Sequence, residues 1–212
     1  MLSRRELDHF VLDVELVLIS VVQGVALTTL AVEAAPVLRS RDPSAWMFLA
    51  TGLLFILSFW SAALIHAISF VAWPMDLLHY FFYFALALLE CLTFTRMEQP
   101  GAWFGFSAAC FAIILALYVY DYRLIRNRRL MFEGSDALRR LYRHVLDRQR
   151  LEMLALVPAG LAFNLVAMRV TGRRPGAAAL MALLQLLLTL MFVANFVRSF
   201  SERLRLIPAR ED

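Results

Sequence analysis

Three titratable residues interrupt an otherwise apolar stretch of the sequence, VAWPMDLLHYFFYFALALLE at 71–90. They are Asp76, His79 and Glu90. Carboxylates and imidazoles can relay protons, coordinate cations or ligate a transition metal. Which of these chemistries applies depends first on the solvent that the stretch meets.

The composition indicates that this solvent is lipid. Residues of the AVILMFWYC set make up 61% of the 212 residues, and the mean hydropathy is +0.68. Soluble domains contain about 45–50% apolar residues even when glycine is counted. The long apolar stretches come close to the roughly 20 residues that cross a bilayer as a helix. They predict an all-α integral membrane protein that forms a single membrane domain.

Six transmembrane helices are predicted within this domain. Proline, glycine and charged residues are expected to end them, as in PVLRSRDPSA at 36–45 and in the tight turn WPMD at 73–76. The fifth span is the shortest, and Glu152, Pro158 and Asn164 interrupt it. The predicted spans are about 11–33, 46–72, 75–95, 102–121, 151–168 and 177–197.

The arginines predict the orientation of these helices. The sequence has no lysine, and all 21 basic residues are arginine. With the N-terminus inside, fifteen of these arginines fall in cytoplasmic segments and six outside, which follows the positive-inside rule. Both termini are therefore predicted to be cytoplasmic. The all-arginine usage is typical of a GC-rich bacterial genome, and it predicts a bacterial inner membrane as the location.

A basic linker, 122–150, separates the fourth span from the fifth. Apolar residues recur in it every 3 or 4 positions, and Arg139, Arg140 and Arg143 fall on the other face. This pattern predicts an amphipathic basic helix. We expect it to contact anionic lipid headgroups or to dock a cytoplasmic protein partner. Nucleic acid is not an expected partner, because positive-inside loops are basic for topological reasons alone.

Each of the first three helices carries polar or small residues at helical spacing. An ionised side chain at mid-bilayer costs about 2.5–3.5 kcal/mol, so these faces are predicted to turn away from lipid. His66 and His79 flank the 73–76 turn at similar depths and could meet across it. The faces comprise Ser20, Gln23, Gly24 and Thr28 on the first helix, Ser58, Ser61, Ala62, His66 and Ser69 on the second, and Asp76, His79, Tyr80, Tyr83, Ala87 and Glu90 on the third.

Two interpretations of these faces stay open. Close helix packing explains the serine, glycine and alanine positions, and a place near the interface explains Asp76. Function explains the histidines and Glu90 better, since no basic residue on that helix lies nearer to Glu90 than Arg96. The residues predicted to form an ion pathway are Glu90, His79, His66, Asp76, Tyr83 and Gln23.

The leading hypothesis is a channel for cations or protons. It is expected to assemble as a homo-oligomer, because a single protomer of six spans is small to enclose a whole permeation path. One alternative is a non-conducting adaptor that docks a partner through the basic linker. A membrane metalloenzyme or a haem protein with His66 and His79 as axial ligands ranks lower, since no H-E-x-x-H or G-x-S-x-G motif occurs. The absence of lysine excludes a Schiff-base cofactor and a P-loop. We therefore predict no enzyme activity, catalytic residue, metal or cofactor.

The helical layout with its basic linker, together with SFWSAALIH at 58–66, resembles the small bacterial relatives of the lysosomal potassium channel. The signature of that family on the first helix is R-x-x-x-F-S-D. This chain has RELDHFVLD at 5–13, with Arg, Phe and Asp at a different spacing. The resemblance implies that the first helix lines a pore, and it assigns no individual site residue.

Overall fold

The described part of the chain is almost entirely helical. A computed structural model describes residues 4–69, 77–127 and 136–206, and no strand occurs among them. A π-helical segment, Glu152–Leu156, joins α5 to α6, and a 3-10 turn, Pro175–Ala177, precedes α7. The helices are α1 (Arg4–Arg39), α2 (Pro43–Ser69), α3 (Leu77–Phe94), α4 (Pro100–Asn127), α5 (Asp136–Leu151), α6 (Val157–Arg173) and α7 (Ala178–Leu206).

Five helical stretches within the described ranges are long and apolar enough to cross a membrane. A shorter apolar helix, Leu78–Phe94, lies within α3. The all-α prediction is therefore confirmed, and the lengths indicate a multi-pass membrane protein. The five stretches are Leu16–Arg39, Pro43–Ala62, Pro100–Asn127, Tyr142–Arg173 and Pro175–Glu202.

Prolines begin helices more often than they end them in this structure. Pro43 and Pro100 are the first residues of α2 and α4, where the missing N–H would have had no helical partner. Pro36, expected to end the first helix, lies inside α1, one turn before its end at Arg39. Pro158 likewise leaves its span unbroken, because it lies at the start of α6 just after the wider π turn. The predicted fifth span is thus part of one helical run, 136–173.

In the bundle, α1 packs against α2 and α3, α4 packs against α3 and α6, and α7 packs against α2. The connections at 40–42, 95–99 and 174–177 lie at one end of the bundle, which we name the turn end. The other end, where α4 finishes and α5 follows, is the linker end. Aromatic residues fill the core near the turn end, where Phe48 stacks on Trp103 with their ring centroids 4.7 Å apart.

Helix α5 lies against the bundle at the linker end. The Arg148 guanidinium donates a hydrogen bond to the Asn195 carbonyl of α7 at 3.1 Å, and the Gln149 amide donates to the Tyr118 carbonyl of α4 at 3.2 Å. Val145 lies on the same face of α5 and is buried. Three arginines of the opposite face, Arg139, Arg140 and Arg143, are exposed, as expected for an amphipathic helix.

Candidate functional site

The candidate site centres on Glu90, near the end of α3. One face of α3 is buried, with His79, Tyr83, Ala87 and Glu90 at steps of 3 and 4 residues. Glu90 is only 4% exposed. Its carboxyl group therefore lies in the interior of a single protomer.

Helix α1 supplies the nearest amide. The Gln23 side-chain N–H donates to a carboxyl oxygen of Glu90 at 3.4 Å, joining residues 67 positions apart in the sequence. The Gln23 amide oxygen is buried and has no hydrogen-bond partner. Each amide oxygen can accept two hydrogen bonds, so this atom keeps unused capacity beside the carboxyl group.

No basic residue of the described ranges forms an ion pair with Glu90. Thr93 and Cys110 are buried on α3 and α4, and the Thr93 hydroxyl donates to the Leu89 carbonyl of its own helix at 2.7 Å. Among the described residues, Glu90 thus has one long hydrogen bond from Gln23 and no cationic partner.

Four further hydroxyl groups among the described residues are buried without a hydrogen-bond partner. They belong to Thr51 and Ser58 on α2, Ser107 on α4 and Ser199 on α7. Thr51 and Ser107 are fully buried. Most buried polar groups in proteins are paired, and each exception calls for an explanation.

The linker end of the same interior holds a second polar pair. The His79 ring nitrogen Nε2 lies 2.8 Å from a carboxylate oxygen of Asp121 on α4, and His79 is fully buried. The Tyr120 ring lies edge-on to the imidazole at 5.2 Å between centroids. Asp121 is not among the residues that the sequence predicts to form the ion pathway. The missed signal is that Asp121 and His79 are expected at similar depths on consecutive helices.

His66 was expected to meet His79, and its side chain, like all of Asp76, lies outside the described residues. The polar face predicted for the first helix is only partly internal. Gln23 is buried, whereas Ser20 and Thr28 are exposed and donate to backbone carbonyls of their own helix at 2.8 Å. A hydroxyl group bonded in this way needs no partner helix.

A second polar network, which sequence reasoning missed, crosses the bundle near the turn end. The Trp103 indole N–H donates to the Gln185 amide oxygen at 2.7 Å, and the Gln185 amide N–H donates to the Asn164 oxygen at 2.8 Å. The Asn164 N–H in turn donates to the Gly160 carbonyl at 2.8 Å. These hydrogen bonds connect α4, α7 and α6.

The three arginines predicted to contact lipid headgroups or a partner lie away from these groups. Arg139 forms an exposed ion pair with Asp136 at 2.8 Å, and Arg140 and Arg143 are exposed on α5. Within the described ranges, no group of three or more His, Cys, Asp or Glu side chains could hold a metal ion.

No protein family, characterised protein or solved structure matches the chain. The function must therefore be argued from the residues of the site.

Proposed function

We propose that the chain is a pathway for protons or small cations, working as a homo-oligomer in a bacterial inner membrane, with six spans and both termini cytoplasmic. The observation that supports this most is the buried Glu90 carboxyl group, which has no cationic partner in the described part of the chain. An unpaired carboxylate in a protein interior costs several kcal/mol. A proton or a bound cation removes that cost. Glu90 is therefore suited to take up and release a proton or a cation that moves through the protein.

The path would run along the buried face of α3 from the linker end. Asp121 and His79 form its entrance, since Asp121 is partly exposed and His79 is buried behind it. Tyr83 follows about 6 Å further along the helix, and Glu90 about 10 Å beyond Tyr83, at 1.5 Å per residue. Gln23 faces Glu90 from α1. Two of these residues, Asp121 and His79, form a direct contact that can relay a proton.

Close packing favours a proton over a hydrated ion in this proposal. Leu86 is 2% exposed and lies between Tyr83 and Glu90 along α3. Phe94 and Trp103, both fully buried, close the interior between Glu90 and the turn end. A hydrated cation would need both barriers to open widely, whereas a proton needs only a transient chain of hydrogen-bonding groups.

Glu90→Gln tests the proposal, because an amide neither releases a proton nor holds a cation by charge. The chain is reconstituted in liposomes under a proton or K⁺ gradient, and a pH-sensitive dye or a K⁺ electrode records the flux between pH 5 and 8. We expect wild-type vesicles to conduct and the variant to lose at least about tenfold in rate, the magnitude typical of one removed proton-transfer group.

Glu98→Gln is the matched control, since Glu98 is exposed in the 95–99 turn. It should leave the flux unchanged. An unaltered rate in Glu90→Gln would remove Glu90 from the path. Wild-type vesicles without flux at any pH in this range would defeat the pathway altogether.

The last outcome would favour the second candidate, a non-conducting adaptor. It is supported by the exposed arginines of α5, Arg139, Arg140 and Arg143, on a helix held to the bundle by its other face. An acidic protein segment could pair with that row of guanidinium groups.

A further inference from the structure

An open groove of about 720 Å³ lies at the linker end, between α4 and the π-helical segment. Its apolar lining comes from both sides, with Leu115 and Val119 on α4 and Met153 and Leu154 on the π-helical segment. The rim nearer to the end of α4 carries Arg123 and Arg126. The groove is therefore amphiphilic along its length, and it lies apart from the buried face of α3.

The π-helical segment provides one apolar side of this groove. A π turn inserts an additional residue into a helix and is frequent at functional sites. Leu154 lies in this segment and is 71% exposed, far more than Val157 at the start of α6, which is fully buried. The segment thus presents a large apolar side chain beside α4 that no described helix covers.

The two arginines on the rim have no ion-pair partner among the described residues. By contrast, two nearby arginines of α5 already contact other side chains. Arg148 lies 3.9 Å from Glu152, and Arg150 donates to the Tyr122 hydroxyl at 3.1 Å while its guanidinium lies over the Tyr122 ring. No acidic residue lines the groove. Arg123 and Arg126 are therefore free to bind an anion there.

We propose that this groove binds one anionic glycerophospholipid from the leaflet at the linker end. Its phosphate lies between Arg123 and Arg126, where guanidinium groups can form paired hydrogen bonds with phosphate oxygens. One acyl chain follows Leu115, Val119 and Leu154 towards the membrane interior. Leu115 and Arg126 are about 16 Å apart along α4, long enough for a headgroup and the upper part of a chain.

The apolar wall distinguishes this ligand from a free phosphate, which would use only the rim. The two arginines distinguish it from a zwitterionic lipid, whose positive headgroup offsets the attraction. The proposal is independent of whether the chain conducts ions.

Native mass spectrometry of the full chain released from detergent micelles tests the site, with phosphatidylglycerol or phosphatidylcholine added. We expect one retained phosphatidylglycerol per chain and much weaker retention of phosphatidylcholine. The double variant Arg123→Gln with Arg126→Gln should weaken phosphatidylglycerol binding on the order of tenfold, because each substitution removes one attraction between an arginine and the phosphate. Arg173→Gln with Arg174→Gln, two exposed arginines at the turn end, is the matched control and should bind as the wild type does.

Leu154→Gln gives an independent test, because the side chain is exposed and its replacement leaves the core intact. It should weaken phosphatidylglycerol binding, and excess inorganic phosphate should fail to displace the lipid from the wild type. Equal binding of the two lipids, unchanged binding in the double rim variant, equal loss in the control, or displacement by phosphate would each overturn the proposal.

Discussion

Gln185 is the residue whose contacts most clearly need the folded structure. Its amide accepts from Trp103 and donates to Asn164, so one buried side chain uses both ends of its amide group. Amide and indole groups in a membrane interior stabilise helix association when paired and destabilise it when left unpaired. Nothing in the sequence around Gln185 identifies these partners, since Trp103 is 82 positions away.

Gln185→Leu should lower the thermal stability of the protein in detergent, because it leaves the Trp103 N–H and the Asn164 oxygen without partners. We expect a loss of about 1–3 kcal/mol. A double-mutant cycle with Trp103→Phe should give a coupling energy of about 0.6–1.7 kcal/mol, as for other hydrogen bonds between membrane helices. Gln99→Leu, at an exposed turn position, is the control. Purely additive effects in the cycle would contradict the hydrogen bond.

At the scale of elements, the α4–α6 contact is the most extensive between the described helices. Gly160 of α6 allows this approach, because a Cβ atom there would overlap the Phe111 ring of α4. Phe111 has little room to move, since it packs edge-on against Phe55 at 6.2 Å between ring centroids. Glycine and other small residues commonly permit such close helix packing in membranes.

Gly160→Ala should therefore destabilise the protein by about 1–3 kcal/mol, the usual penalty for overpacking. Gly172→Ala, on the same helix with open space around the added atom, should be neutral or slightly stabilising. Thermal unfolding followed by circular dichroism in micelles measures both. Phe111→Leu should recover part of the stability in the Gly160→Ala background. Equal stability of the two alanine variants would show that the helices tolerate the added group.

At the scale of the whole molecule, the number of spans depends on α3. Its 18 residues extend about 27 Å, near the roughly 30 Å of a bilayer core. It packs between α1 and α4, both of which are long enough to cross. The arginine distribution agrees with a crossing, because it places the 95–99 turn opposite the basic linker.

Reporter fusions test this topology. Alkaline phosphatase fused after Glu98 should be active, and green fluorescent protein fused after Asp212 should fluoresce, since six spans place these points on opposite sides of the membrane. The reciprocal fusions should be silent. Two fusions reporting the same side would mean that α3 does not cross or that another span is missing.

Hydropathy and helical spacing alone determine the all-α class, the presence of several long apolar helices and the buried face of α3 with His79, Tyr83 and Glu90. These are local properties, because a residue's solvent and its position on a helix follow from its near neighbours in the sequence. The same reasoning failed at Pro36 and at Ser20 and Thr28, where the effect depends on position within the helix or on backbone hydrogen bonds.

Only the tertiary structure decided which polar groups meet. Gln23 contacts Glu90 across 67 positions, and His79 contacts Asp121 across 42. Each pairing depends on which helices become neighbours and how they rotate, and this is set by the packing of apolar side chains along whole helices. Sequence periodicity predicts that a polar helix face is buried against other helices. The combined packing of all the helices determines which residues contact that face, and for Glu90 the contact is the neutral amide of Gln23.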